Sequence, residues 1–128
     1  MQVNRIDHLV LTVADIEHSV EFYGRVLGMR RIEFAGGRIA LQFGAQKINL
    51  HQSGREFEPK AQRVMPGSAD LCFIIDTPIA EAIDQIRGHG IDIIEGPVER
   101  SGATGAIVSV YLWDPDGNLL EVSNYIKP

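Results

Sequence analysis

Three side chains in this chain, His8, Asp70 and Glu121, have the types and the spacing to hold a divalent metal, and His51 offers a further imidazole. A displacement of 62 positions carries His8 onto Asp70, Asp15 onto Thr77 and Gly28 onto Gly90, so the imidazole and the carboxylate stand at matching places in two copies of one short unit. Strand alternation adds to this set. With Leu9, Leu11 and Val13 facing a helix, His8 faces away; by the same rule Lys47, Asn49 and His51 share one face, as do Asp70 and Cys72, and Leu119, Glu121 and Ser123. An oxygen-rich set with one or two imidazoles suits a hard or borderline ion better than a thiolate zinc site. The expected cofactor is therefore a divalent metal ion, with Ni, Mn, Co, Mg, Zn and Fe(II) as candidates.

The elements that must position these groups follow the same plan twice. In the first copy an apolar, β-branched run over 6–13 ends at Ala14-Asp15, and Asp15 reads as a helix N-cap. Ile16, Val20, Tyr23 and Leu27 recur at helical spacing, widened by Phe22 and Val26, until Gly28 stops the helix. Strands are expected at 29–35, 38–43 and 46–51, with Gly36-Gly37 and Gly44-Ala45 as turns. The second copy has its first strand near 68–75, then Thr77 as N-cap and Pro78 at the first helical position, with Ile79, Ala82, Ile83 and Ile86 as the core stripe. Gly88 and Gly90 end that helix, and strands are expected near 91–95, 107–113 and 118–124, the last two joined by the turn Asp114-Pro115-Asp116-Gly117-Asn118. The fold class expected is α+β: two βαβββ modules pairing into a curved mixed sheet around a metal-binding groove. Module 1 covers about 4–52, a polar linker about 53–66 and module 2 about 67–128, within one domain of 128 residues.

Composition narrows the function classes. Hydrophobic residues make up 45% and charged residues 23%, the mix of a globular protein, and no apolar stretch approaches a membrane span. Twelve Lys and Arg against seventeen Asp and Glu give a net charge of −5, which argues against nucleic acid as the main ligand. One cysteine, Cys72, excludes an internal disulfide and a cysteine-rich zinc site. The chain enters its first strand with no apolar leader, and a cytoplasmic location is expected.

Three segments carry a resemblance to a known family: Ile6-Asp7-His8-Leu9, the helix sequence Phe22-Tyr23-Gly24-Arg25-Val26-Leu27-Gly28-Met29, and Asp114-Pro115-Asp116-Gly117-Asn118-Leu119-Leu120-Glu121. The chain resembles the vicinal oxygen chelate superfamily of glyoxalases, bleomycin resistance proteins and extradiol dioxygenases over nearly its whole length. That resemblance implies metal ligands at His8 and Glu121, and a histidine where this chain has Asp70. It also implies a longer carboxylate or amide where the chain has Asn49; His51, two residues on and on the same strand face, could restore the second imidazole. The implied activity is that of a lactoylglutathione lyase or isomerase acting on a small oxygen-chelating substrate, with Glu121 moving the proton. Asn49, Lys47, Cys72, Arg100 and Tyr111 are the expected substrate contacts, Arg100 within a Gly96–Gly105 segment that resembles the mobile substrate loop of fosfomycin-modifying members. The alternatives are extradiol dioxygenation, thiol transfer to an antibiotic, and metal-free sequestration of a drug. A homodimer is the expected assembly, with neither nucleic acid nor membrane as partner.

Overall fold

The computed structural model describes residues 1–127, which divide into two compact units, Met1–Gly67 and a second that begins at Ser68. Each unit is a βαβββ module with its own four-stranded mixed sheet, so the fold is α+β with two helices and two sheets. No helix among the described residues is long and apolar enough to cross a membrane.

In the first unit β1 (His8–Val13) is followed by α1 (Ile16–Leu27), β2 (Arg30–Phe34), β3 (Arg38–Phe43) and β4 (Gln46–Gln52). The strand order is β1-β4-β3-β2, with β1 parallel to β4 and the other pairs antiparallel. Asp15 caps α1 as expected, its carboxylate accepting from the His18 N–H at 3.0 Å. Gly28 closes the helix in the left-handed region at φ 67°, where its N–H reaches the Gly24 carbonyl. Leu11, Val13, Ile39, Leu41, Ile48 and Leu50 alternate inward along the sheet and bury against Phe22 and Tyr23 of α1. Residues 53–66 form no helix or strand but pack on this unit: the Arg38 guanidinium lies 4.3 Å over the Phe57 ring, whose other neighbour is the His51 ring at 5.6 Å.

In the second unit β5 (Asp70–Ile74), α2 (Ile79–Gly88), β6 (Glu95–Ser101), β7 (Ala106–Trp113) and β8 (Leu119–Tyr125) give the order β5-β8-β7-β6. Val110, Leu112, Leu120 and Val122 form its core with Ala82 and Ile86 of α2.

Two expectations are corrected here. The strand expected at 91–95 lies at Glu95–Ser101, taking in part of the presumed loop. Gly96 reaches φ 102° at a bulge between Glu95 and Val98, and β6 is the edge strand, where the missing N–H of Pro97 costs no ladder bond. Thr77 does not cap α2, which begins after Pro78 without a side-chain cap from that residue. Asn124 on β8 takes the role: its Oδ1 accepts from the Ile79 N–H at 2.7 Å, and its Nδ2 donates to the Ile75 and Thr77 carbonyls, both at 3.0 Å. A capping residue 45 positions away in sequence is invisible to a local pattern.

Candidate functional site

The turn motif before β8 does structural work that aligns the site. Asp114 Oδ1 accepts from the N–H groups of Asp116 and Asn118, each at 2.9 Å, and Asn118 Nδ2 donates to Asp114 Oδ2 at 2.7 Å. Asn118 Oδ1 then accepts from the Ala69 N–H at 2.8 Å, and the Leu119 N–H reaches the Ala69 carbonyl. The buried Asp114 and Asn118 thereby tie the start of β8 to the start of β5 and set the register Asp70↔Leu119, Cys72↔Glu121. That register puts Asp70, Cys72 and Glu121 on the sheet face opposite α2.

Over that face opens a cavity of about 450 Å³. Asp70, Glu121, Arg100 and Tyr111 line it with Glu95, and Ile94, Trp113 and Leu119 form its apolar wall. Four residues expected from sequence to serve the site are therefore brought together in one unit. Trp113 is half exposed, an aromatic surface open to solvent at the rim.

Glu121 is held from below. Ser109 Oγ donates to Glu121 Oε2 at 2.5 Å, and Ser109 also bonds Ser123 Oγ at 2.7 Å, both serines being fully buried. Tyr111 sits directly across from Glu121 in the β7–β8 ladder. The phenol oxygen accepts from Arg100 Nε at 3.0 Å, while Arg100 also pairs with the Glu95 carboxylate and donates to the Glu99 carbonyl. Burial and the neighbouring Glu121 charge hold the Tyr111 phenol above its ordinary range, against the opposing pull of Arg100, so it keeps its proton. The Tyr111 hydrogen bond pushes the Arg100 guanidinium further up as well. Burial raises the Cys72 thiol against the opposing pull of the Ser123 hydroxyl, with Glu121 and Asp70 adding to the rise; its Sγ lies 3.5 Å from Ser123 Oγ. A thiol kept protonated is a poor nucleophile.

The remaining expected residues lie in the first unit. His8 is exposed and its Nδ1 pairs with Asp7 at 2.8 Å; that bond lowers the Asp7 carboxyl. Lys47, the register partner of His8, holds its ammonium 3.6 Å over the Phe34 ring. Asn49 and His51 are buried on the same face of β4, with Asn49 Oδ1 and His51 Nδ1 lacking hydrogen-bond partners. Desolvation, with Arg38 nearby, holds His51 below its ordinary range, so its ring is neutral.

For the metal, the second unit offers the carboxylates Asp70 and Glu121, the third carboxylate of the cavity, Glu95, being paired with Arg100. Among the described residues no group of three or more His, Cys, Asp or Glu side chains is arranged to hold a metal ion. The described side chains thus fall short of the three-ligand sets that bind transition metals.

Sequence reasoning passed over Ser109 and Glu95, and put Ser123 on the Glu121 face without giving it a role. A signal for Ser109 exists: it interrupts the apolar run Ile107-Val108-Ser109-Val110 at a position that pairs with the Glu121 face.

Residues 5–122 match the glyoxalase/bleomycin resistance protein/dioxygenase superfamily. The chain is 60% identical to virulence protein STM3117 of Salmonella typhimurium over 98% of this chain and 88% of that protein. The crystal structure of that protein superposes with a TM-score of 0.97, covering 98% of this chain and 100% of that one. A glyoxalase domain-containing protein of Mycosarcoma maydis, RDO1, is 54% identical over 98% of this chain and 70% of its own length. A lactoylglutathione lyase of Pseudomonas aeruginosa is 27% identical over 91% of this chain and 80% of its own.

Proposed function

The chain belongs to the glyoxalase/bleomycin resistance protein/dioxygenase superfamily, and from that premise we propose that it is a lyase or isomerase of the glyoxalase type, acting as a homodimer on a small oxygen-bearing substrate. One observation carries the reading: Glu121, Tyr111 and Arg100 line one cavity, a carboxylate beside a protonated phenol whose oxygen is already engaged by a guanidinium. Glu121 removes the proton from the hydroxyl-bearing carbon next to a carbonyl and returns it to the former carbonyl carbon, while the hydroxyl proton passes to the former carbonyl oxygen. The Tyr111 oxygen accepts from Arg100 while its hydroxyl bonds Glu121, so as Glu121 takes up the proton the phenol can turn its hydrogen toward the negative charge that grows on the substrate oxygen. Trp113 and Ile94 supply an apolar wall against which the carbon part of the substrate packs.

The proposed cofactor is a divalent ion, Ni, Mn, Co, Mg, Zn or Fe(II), with His8, Asp70 and Glu121 as ligands and His51 as a reserve imidazole; none of the steps above depends on it. Lys47, Asn49 and Cys72 are proposed as further substrate contacts. A second reading, sequestration of a small molecule without turnover, draws on the apolar rim that Trp113 and Ile94 give the cavity.

The test is formation of lactoylglutathione from its hemithioacetal, assayed anaerobically with each ion added in turn. The lyase reading expects turnover with Mn, Ni or Co. A strict need for Fe(II) and dioxygen would replace it with ring-cleaving oxygenation. Tight binding of small molecules with no turnover under any condition would replace it with sequestration.

A further inference from the structure

Ser109 and Ser123 occupy the two central strands of the second sheet, directly opposite one another, and both are fully buried. Buried hydroxyls are costly unless bonded, so their presence in the centre of the sheet calls for a use. The count of protons fixes how they bond. A serine hydroxyl has one hydrogen to give. Ser109 gives its hydrogen to Glu121 Oε2 at 2.5 Å, because an ionised carboxylate can only accept. The 2.7 Å contact between the serines must then run from Ser123 to Ser109. With the Ser123 hydrogen committed, the 3.5 Å contact to Cys72 must run from the thiol to Ser123.

We infer that Cys72, Ser123 and Ser109 form a one-directional hydrogen-bond chain ending on Glu121 Oε2, in which the two serines are positioning residues that fix the orientation of the Glu121 carboxylate. The chain has a single polarity because only its last member is an obligate acceptor. Removing one serine therefore disturbs members it does not touch: without Ser109, the Ser123 hydroxyl loses its acceptor and is free to turn toward sulfur. The first sheet has no counterpart. There His51 holds the register position that Ser123 holds in the second, and Asn49 Oδ1, at the place of Glu121, has no donor. The inference rests on the proposed role of Glu121 as base, and its test is built to separate the two.

The chain has one cysteine, so the infrared S–H stretch reports one thiol in the whole protein. In the full-length protein it is compared with Ser109→Ala, Ser109→Thr and Ser123→Ala, alongside the carboxylate bands of glutamate-labelled samples. The wild-type S–H band should lie at a hydrogen-bonded frequency. It should move to that of a free thiol in Ser123→Ala, and also in Ser109→Ala, although Ser109 does not touch the thiol. In the lyase assay Ser109→Ala should lose about 10-fold or more in kcat with KM little changed, and Ser109→Thr, which keeps the hydroxyl, should recover both kcat and the band. An S–H band that Ser109→Ala leaves unmoved would overturn the chain, and unchanged kcat in a variant whose band has moved would overturn the positioning role. If the wild type shows no lyase turnover, the proposed function fails by itself. The labelled carboxylate band then decides: its shift in Ser109→Ala upholds the chain, and its constancy removes it.

Discussion

Asn49 and Glu121 hold the same register position in their respective sheets, Asn49 across from Val10 and Glu121 across from Cys72, yet only Glu121 receives a hydroxyl donor. Asn49 is a buried neutral amide whose oxygen is unpartnered, whereas Glu121 is a carboxylate with Ser109 beneath it and Tyr111 beside it in the ladder. The repeat therefore preserved the position and not the chemistry. The groups suited to moving a proton stand in the second module.

The long-range cap on α2 predicts a stability effect. Asn124→Ala leaves the Ile79 N–H and the Ile75 and Thr77 carbonyls without their side-chain partner. The expected loss is about 1–3 kcal/mol, read from the urea midpoint at constant slope. Thr77→Ala, at the position that sequence favours as the cap, should cost far less.

Gly96 predicts a steric one. A Cβ there would meet the Ser109 carbonyl oxygen at 2.3 Å on a residue with φ +102°, so both the space and the backbone forbid a side chain. Gly96→Ala should destabilise by about 2 kcal/mol or more. Gly36→Ala, with φ +78° but nothing within 4 Å, should cost about 1 kcal/mol. Thermal unfolding of the two variants side by side checks the ranking.

His51 gives stability a pH dependence. Burial lowers its folded-state pKa below the 6.5 of an unhindered imidazole, with Arg38 acting in the same sense. In the window between the two values the unfolded chain binds the proton more readily. The contribution is therefore intact above about pH 6.5 and is lost as pH falls through the folded value. Denaturant unfolding from pH 7.5 down to 5 should show His51→Phe less sensitive to acid than the wild type. Parallel slopes would remove His51 as the source.

Metal content tests the proposed ligands. Purified protein should carry about one divalent ion per chain at the mass of a dimer, and His8→Ala or Glu121→Ala should lose the ion. Asp70→His should keep metal while shifting preference toward Zn. Full occupancy in both alanine variants would dismiss the ligand assignment.

Much of the fold was legible because its signals are local. The Asp15 cap, the Gly28 stop and the alternating core of β4 and β8 are each read within a few residues. What sequence missed depends on contacts between distant segments: Asn124 capping α2, and an edge strand that accepts Gly96-Pro97. The site divides the same way. Asp70 and Glu121 could be named from types and strand alternation, Arg100 and Tyr111 as substrate contacts beside the family resemblance, and all four line one cavity. The serines beneath Glu121 carry no charge and no motif, and only the β7–β8 register puts Ser109 against that carboxylate.

The central claim is that Glu121 is the base. The most direct measurement is the single-turnover rate of Glu121→Gln on the hemithioacetal under anaerobic conditions, with metal occupancy determined on the same sample. The amide keeps an oxygen but has no basic site, so at matched occupancy the rate should fall by about 10²–10⁴-fold. A metal-matched Glu121→Gln that turns over at the wild-type rate would contradict the account.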